Sequence, residues 1–218
     1  MLAFFVNRTH FIKKRKLPEK EITMNFNKFT VKSQEAVQSA QEIAQNYGNQ
    51  VIEPIHLLAA LIQGSESLVA NILQKIGANL NYIKIKTNEL IENLPKVGGA
   101  GIGNVYLSRD TGKIFETAQK EAEKLKDEYI STEHLLLALC EEKDSSAAKL
   151  LKDQGVKKED IFKVLKELRG TQRVVDQNPE DKYQALEKFG RNLNDLARRG
   201  KLDPVIGRED EIRRTLQV

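Results

Sequence analysis

Tryptophan is absent from this 218-residue chain, cysteine occurs once (Cys140), and aromatic residues make up only 6% of it. A single cysteine excludes a disulfide-stapled fold and suits a reducing compartment. Three scattered histidines cannot supply the Cys/His clusters of structural zinc. A core so poor in rings has to be assembled from Leu, Ile, Val and Ala, as helical proteins do. No apolar run approaches the ~18 to 20 residues that a membrane helix needs, so no membrane partner is expected.

The formal charge is +4, and its location matters more than its size. Residues 1–23 hold six Lys/Arg and two Glu, which leaves 29 basic and 29 acidic residues from Met24 onward. Binding to a phosphate backbone needs a cationic surplus on one face. The neutral body therefore argues against nucleic acid as a partner, and a nucleic-acid-binding helical repeat has only the basic tail in its favour. The tail is no secretory signal, in which basic residues precede ~7 to 15 apolar ones. Here the apolar stretch Leu2 to Val6 is short and precedes the basic cluster Lys13 to Lys16. It lacks the Arg and Ser richness of a transit peptide. The expectation is a disordered or non-native extension over 1–23, with Met24 as the true first residue.

The architecture is decided by an internal repeat. Shifting the sequence by 78 residues aligns Phe29–Leu90 with Leu107–Leu168 without a gap, and 16 of the 62 positions are identical. Ile52-Glu-Pro-Ile-His56-Leu-Leu-Ala-Ala-Leu61 falls on Ile130-Ser-Thr-Glu-His134-Leu-Leu-Leu-Ala-Leu139, and Gly77 falls on Gly155. Each copy reads as four short helices. In the first, Thr30 caps a helix that ends at Gly48, Pro54 opens a second before Gly64, a third precedes Gly77, and a fourth runs from about Asn79 to Leu94. The second copy repeats this plan from Ser108 to about Arg169. Neither can bury its apolar face alone. The predicted fold is all-α: a duplicated four-helix repeat (29–94 and 107–169) packed with pseudo-two-fold symmetry into one domain over 24–170.

Between the copies, Gly98-Gly-Ala-Gly-Ile-Gly103 follows a helix and Pro95 in G-G-x-G-x-G spacing. A dinucleotide fingerprint needs G-x-G-x-x-G after a strand, so this is read as a flexible connector. Residues 171–182 are polar and lack an apolar period, as a linker does. A further helix carries Leu186, Phe189, Leu193 and Leu196 and stops at Gly200. The acidic run Glu209-Asp-Glu211 suits another helix start.

These residues resemble the Clp AAA+ disaggregase family. The likeness covers 24–218 and rests on the repeat, the Met-Asn-Phe-Asn-Lys-Phe-Thr start at Met24, Glu53-Pro-Ile-His-Leu57 and above all Lys201-Leu-Asp-Pro-Val-Ile-Gly-Arg208. It implies a stress chaperone whose ATP- and magnesium-dependent homohexameric ring threads polypeptides out of aggregates in the cytoplasm, with the amino-terminal domain catching clients. Residues 183–218 would then be the truncated start of an AAA+ nucleotide-binding domain, in which Val205 and Ile206 pack against adenine. No G-x-x-x-x-G-K-[ST] occurs in the chain, so it lacks the nest and lysine that cradle phosphates. No catalytic residue, ATP turnover or bound cofactor is expected of this chain.

The expected function is client recruitment, the alternative being a stand-alone peptide-binding or adaptor module. The resemblance assigns substrate handling to Thr30, Asp127 and Glu133, and Phe115 and Tyr129 are candidates for an apolar wall. The residues by themselves allow plainer roles: Thr30 as a helix cap, Glu133 as a helix-start carboxylate that favours the dipole, and Asp127 as a residue facing water. His56 and His134 are equivalent through the duplication and are read as structural, without a metal. Cys140 is read as a small buried hydrophobe.

Overall fold

Five of the eight helices of the repeats begin where a side chain offers an acceptor to the free N–H groups of a first turn. Thr30, Ser67, Asn79, Ser108 and Ser145 each accept from the N–H three residues on. The computed structural model describes residues 26–64, 67–97, 105–170, 173–179, 193–201 and 207–217. In the first repeat the helices are α1 (Val31–Asn46), α2 (Pro54–Ile62), α3 (Leu68–Ile76) and α4 (Leu80–Glu92). Their counterparts are α5 (Arg109–Leu125), α6 (Thr132–Glu141), α7 (Ser146–Asp153) and α8 (Lys158–Arg169). Among the described residues beyond the repeats are two further helices, α9 (Leu193–Arg198) and α10 (Glu209–Leu216), and α10 buries no residue. Gly77 and Gly155 end α3 and α7 with φ of 92° and 74°, a left-handed backbone that glycine adopts without strain.

The pseudo-two-fold axis shows in pairs of contacts that exchange the repeats. α1 packs on α6 as α5 packs on α2, α2 on α7 as α6 on α3, and α3 on α8 as α7 on α4. On the axis α2 meets α6. These two helices are apolar on nearly all sides, and Ile55, Leu57, Leu58, Leu135, Leu136 and Leu137 are fully buried. α1 turns only Ala36, Ala40 and Ala44 inward with Ser33, a narrow small-residue face that lets α2 approach.

One feature was not expected from an all-helical pattern. A parallel two-residue ladder joins β1 (Val51–Ile52) to β2 (Tyr106–Leu107), and its symmetry mate is an isolated parallel bridge between Phe29 and Ile130. Each ladder pairs the residues just before a helix of one repeat with those before a helix of the other. The mate bonds are Thr30 N to Ile130 O at 3.0 Å and Ser108 N to Ile52 O at 3.1 Å. Thr111 Oγ1 adds a buried bond of 2.8 Å to the Ile52 carbonyl. Pairs this short leave no period in a sequence, because they exist only once the repeats have docked.

Residues 173–178, expected to belong to a free linker, are tied to the repeats. Val174 is fully buried, its carbonyl accepts from Glu128 N at 2.9 Å, and Gln177 O accepts from Val31 N at 2.9 Å.

Candidate functional site

Asp127 and Glu133 meet at one junction where the loop before α6 and the end of α8 converge, and Thr30 at the start of α1 is tied to the same loop by its N–H bond to Ile130 O. Arg169 in the last turn of α8 organises the junction. Its Nη2 donates to Asp127 Oδ2 at 2.6 Å and its Nη1 to Glu133 Oε1 at 3.2 Å. The other Asp127 oxygen accepts from Val174 N at 2.8 Å. Burial alone would lift the Asp127 carboxyl. The His134 ring, the Arg169 guanidinium and the Val174 N–H outweigh it and hold that carboxyl below the usual carboxylate range.

The histidines explain their own duplication. His56 Nδ1 accepts from Glu53 N at 3.0 Å, and His134 Nδ1 accepts from Ser131 N at 3.0 Å, so each ring caps the start of its helix from the third position. With Nδ1 accepting, the proton sits on Nε2. His56 Nε2 lies 3.1 Å from Asn49 Oδ1, and His134 Nε2 lies 3.1 Å from Asp127 Oδ2. Burial pushes the His56 imidazole down to about 4.

The internal alignment shows what the second repeat has changed. Asn49 corresponds to Asp127, Ile55 to Glu133 and Ile91 to Arg169. Ile55 and Ile91 are both fully buried, so an apolar pair in one copy has become an ion pair in the other. Arg169 and the capping role of the histidines escape a motif search. A cation at a position that is core in the sister repeat is the signal that would find Arg169.

The remaining candidates separate. Asp127 does not face water; it is 8% exposed and paired. Glu133 stands in the first turn of α6 and is fully buried, so Glu133→Ala would report on the fold as much as on any client. Phe115 offers no wall to a ligand: it is 3% exposed and packs edge-on to Phe29, centroids 5.9 Å apart. Tyr129 is half-buried. Thr30 is fully buried and accepts from Ser33 N at 3.2 Å. Thr30→Ala is expected to cost about 1 kcal/mol and lower the Tm by about 2 to 4 °C in a thermal melt. Val205 and Ile206 lie outside the described residues.

Burial raises the Cys140 thiol to about 12, far from a reactive thiolate. Among the described residues no group of His, Cys, Asp and Glu could hold a metal ion, and no helix is long and apolar enough to cross a membrane.

The model of the Clp repeat (R) N-terminal domain matches residues 28–154, more than half of the chain. The chain belongs to the Clp repeat N-terminal domain family. Its sequence is 45% identical over 195 residues to a chaperone protein ClpB of Bacteroides thetaiotaomicron, covering 89% of this chain and 22% of that protein. It is 42% identical over 197 residues to the ClpB of Bacillus cereus, covering 89% and 23%. The chain thus corresponds to the Clp repeat region of ClpB chaperones and spans less than a quarter of their length. Two solved structures share the Clp repeat fold. The Hsp104 N-terminal domain from Candida albicans matches with a TM-score of 0.62 over 70% of this chain and 98% of that one, at 24% identity. The N-domain of ClpV from Vibrio cholerae matches with a TM-score of 0.56 over 65% and 85%, at 15% identity.

Proposed function

We propose that this Clp repeat domain recruits unfolded or aggregated polypeptide for an ATP-driven, magnesium-dependent Clp ring in the cytoplasm, the ring being a homohexamer in the whole protein. The observation that carries this reading is the extent of the ClpB likeness. Covering 89% of the chain, it necessarily runs past Gly170 and so beyond the repeats. A stand-alone adaptor would have no use for that continuation. In this reading Val205 and Ile206 contribute to an adenine site completed elsewhere in the protein, and ATP turnover is not a property of the repeats.

An unfolded polypeptide exposes apolar side chains without a fixed shape. Its receptor needs shallow apolar surface and an affinity moderate enough to hand the client on. Such surface is present where the repeats join, since Val51, Tyr106 and Leu107 of the paired strands are 39%, 59% and 41% exposed. Half-buried Tyr129 occupies the position in the second repeat that Val51 occupies in the first. Thr30, Asp127 and Glu133 act in this reading by holding the junction rigid, not by touching the client.

The test is a binding isotherm of the full chain with a fluorescently labelled, permanently unfolded protein, read by anisotropy. Saturable binding with a dissociation constant of about 1 to 100 µM, little affected by salt because the domain body is neutral, is the expected result. An unfolded protein that binds no better than its native form would overturn the reading.

A further inference from the structure

The duplication leaves one seat filled in the second repeat and open in the first. Between α1, α2 and α4 lies a cleft of about 320 Å³, walled by Ile43, Tyr47, Ala59 and Ile62 and bordered by Lys84 and Thr87. Thr87 is 1% exposed, and its hydroxyl has no hydrogen-bond partner among the described residues. A buried hydroxyl without a partner is costly in a well-packed protein. Half-buried Lys84 makes no ion pair among the described residues.

The equivalent seat in the second repeat shows what such a space accepts. Lys84 corresponds to Phe162, Ile43 to Glu121 and Ile62 to Cys140. Phe162 is partly buried against the core, with Lys158 Nζ 5.7 Å from its ring centroid. Lys158 in turn pairs with Glu121 at 3.0 Å and with Glu141, so aromatic ring, cation and carboxylate occur together. In the first repeat Leu80 stands where the second has Lys158 and Ile43 where it has Glu121, while Lys84 brings a cation to the position of the ring itself.

We infer that the cleft between α1, α2 and α4 binds an extended peptide segment in which an aromatic side chain stands next to a carboxylate. The ring enters between Ile43, Tyr47, Ala59 and Ile62. The peptide backbone supplies the acceptor that the Thr87 hydroxyl lacks, and the carboxylate meets Lys84. The volume lies at the low end of small-ligand sites and suits one aromatic side chain with its backbone rather than a helix. The inference deepens the client-capture reading by naming a sequence feature of the client, and it rests on that reading only for its biological partner.

The probe is acetyl-Ala-Phe-Asp-Ala amide, titrated into the full chain and followed by NMR, with acetyl-Ala-Ala-Asp-Ala amide as control. The expected dissociation constant is about 0.1 to 1 mM, at least ~10-fold tighter than the control. Lys84→Phe installs the second repeat's own residue, and is expected to weaken the probe by at least ~10-fold while the Tm holds or rises. Thr87→Val removes only the hydroxyl, and is expected to weaken the probe by about 5-fold without lowering the Tm. Equal binding of probe and control overturns the inference, as does Lys84→Phe leaving the affinity unchanged. If deleting residues 1–23 tightens the probe, the chain's own tail is the occupant. If Lys84→Phe abolishes a self-association, a second copy is; either result also overturns it. Retained binding of an unfolded protein alongside loss of the peptide result would sink this inference alone. Peptide binding without unfolded-protein binding would sink the client-capture reading and leave the cleft standing.

Discussion

Arg169→Ala is expected to destabilise the repeat domain by about 3 to 5 kcal/mol, because it leaves Asp127 and Glu133 buried without their cation. For a domain whose whole stability is of the order of 5 to 15 kcal/mol, that corresponds to a fall in Tm of roughly 10 °C or more. The first repeat supplies the control, since it holds Asn49, Ile55 and Ile91 at the three equivalent positions. Combining Asp127→Asn, Glu133→Ile and Arg169→Ile copies that arrangement. The triple variant should recover to within about 1 to 2 kcal/mol of the parent, because an apolar pair of similar volume replaces a desolvated ion pair at little cost. Urea unfolding of the single and triple variants checks both statements. A triple variant as unstable as Arg169→Ala would mean that the ions are not each other's reason for being buried.

A second large effect is expected in acid. The unfolded His56 imidazole titrates near its ordinary 6.5, whereas in the folded protein burial lowers it to about 4. The unfolded chain therefore takes up a proton that the folded one resists, and stability falls as pH falls. The contribution is complete above about pH 6.5 and is lost progressively toward pH 4, amounting to about 3 kcal/mol. Asp127, held below the usual range, adds a loss in the same direction at lower pH, as its carboxylate is forced to protonate. His56→Gln keeps an acceptor for the Glu53 N–H but cannot titrate. Its stability should change less between pH 6.5 and 4, by about 3 kcal/mol, when both proteins are unfolded in urea across that range. Parallel curves for the two proteins would rule out His56 as the source.

The helices were legible because their signals are local. Pro54 at a first turn, Gly77 and Gly155 after apolar stripes, and Thr30, Ser108 and Asn79 as caps each act within a few residues of where they stand. The gapless 62-residue repeat, offset by 78 residues, then pointed to the symmetry. What stayed hidden depends on docking. The exchanged bridges of Phe29 with Ile130 and Ile52 with Leu107 join residues far apart in the chain. The junction around Arg169 was half visible: Asp127 and Glu133 were singled out, but their burial was not, because a carboxylate at a helix start looks the same whether it faces water or a guanidinium. Phe115 was misjudged for a related reason. A ring on an amphipathic helix reads as surface or core only once its neighbour, here Phe29, is known. The open cleft of the first repeat was in the alignment all along, as Lys84 standing where its sister has Phe162.

Amide hydrogen exchange of the full chain, with and without a saturating unfolded protein, tests client capture by the folded repeats most directly. The account predicts added protection within residues 26–170, concentrated on α1, α2, α4 and the paired strands at Val51 and Tyr106. Protection that is absent from residues 26–170, or confined to residues 1–23, would contradict it.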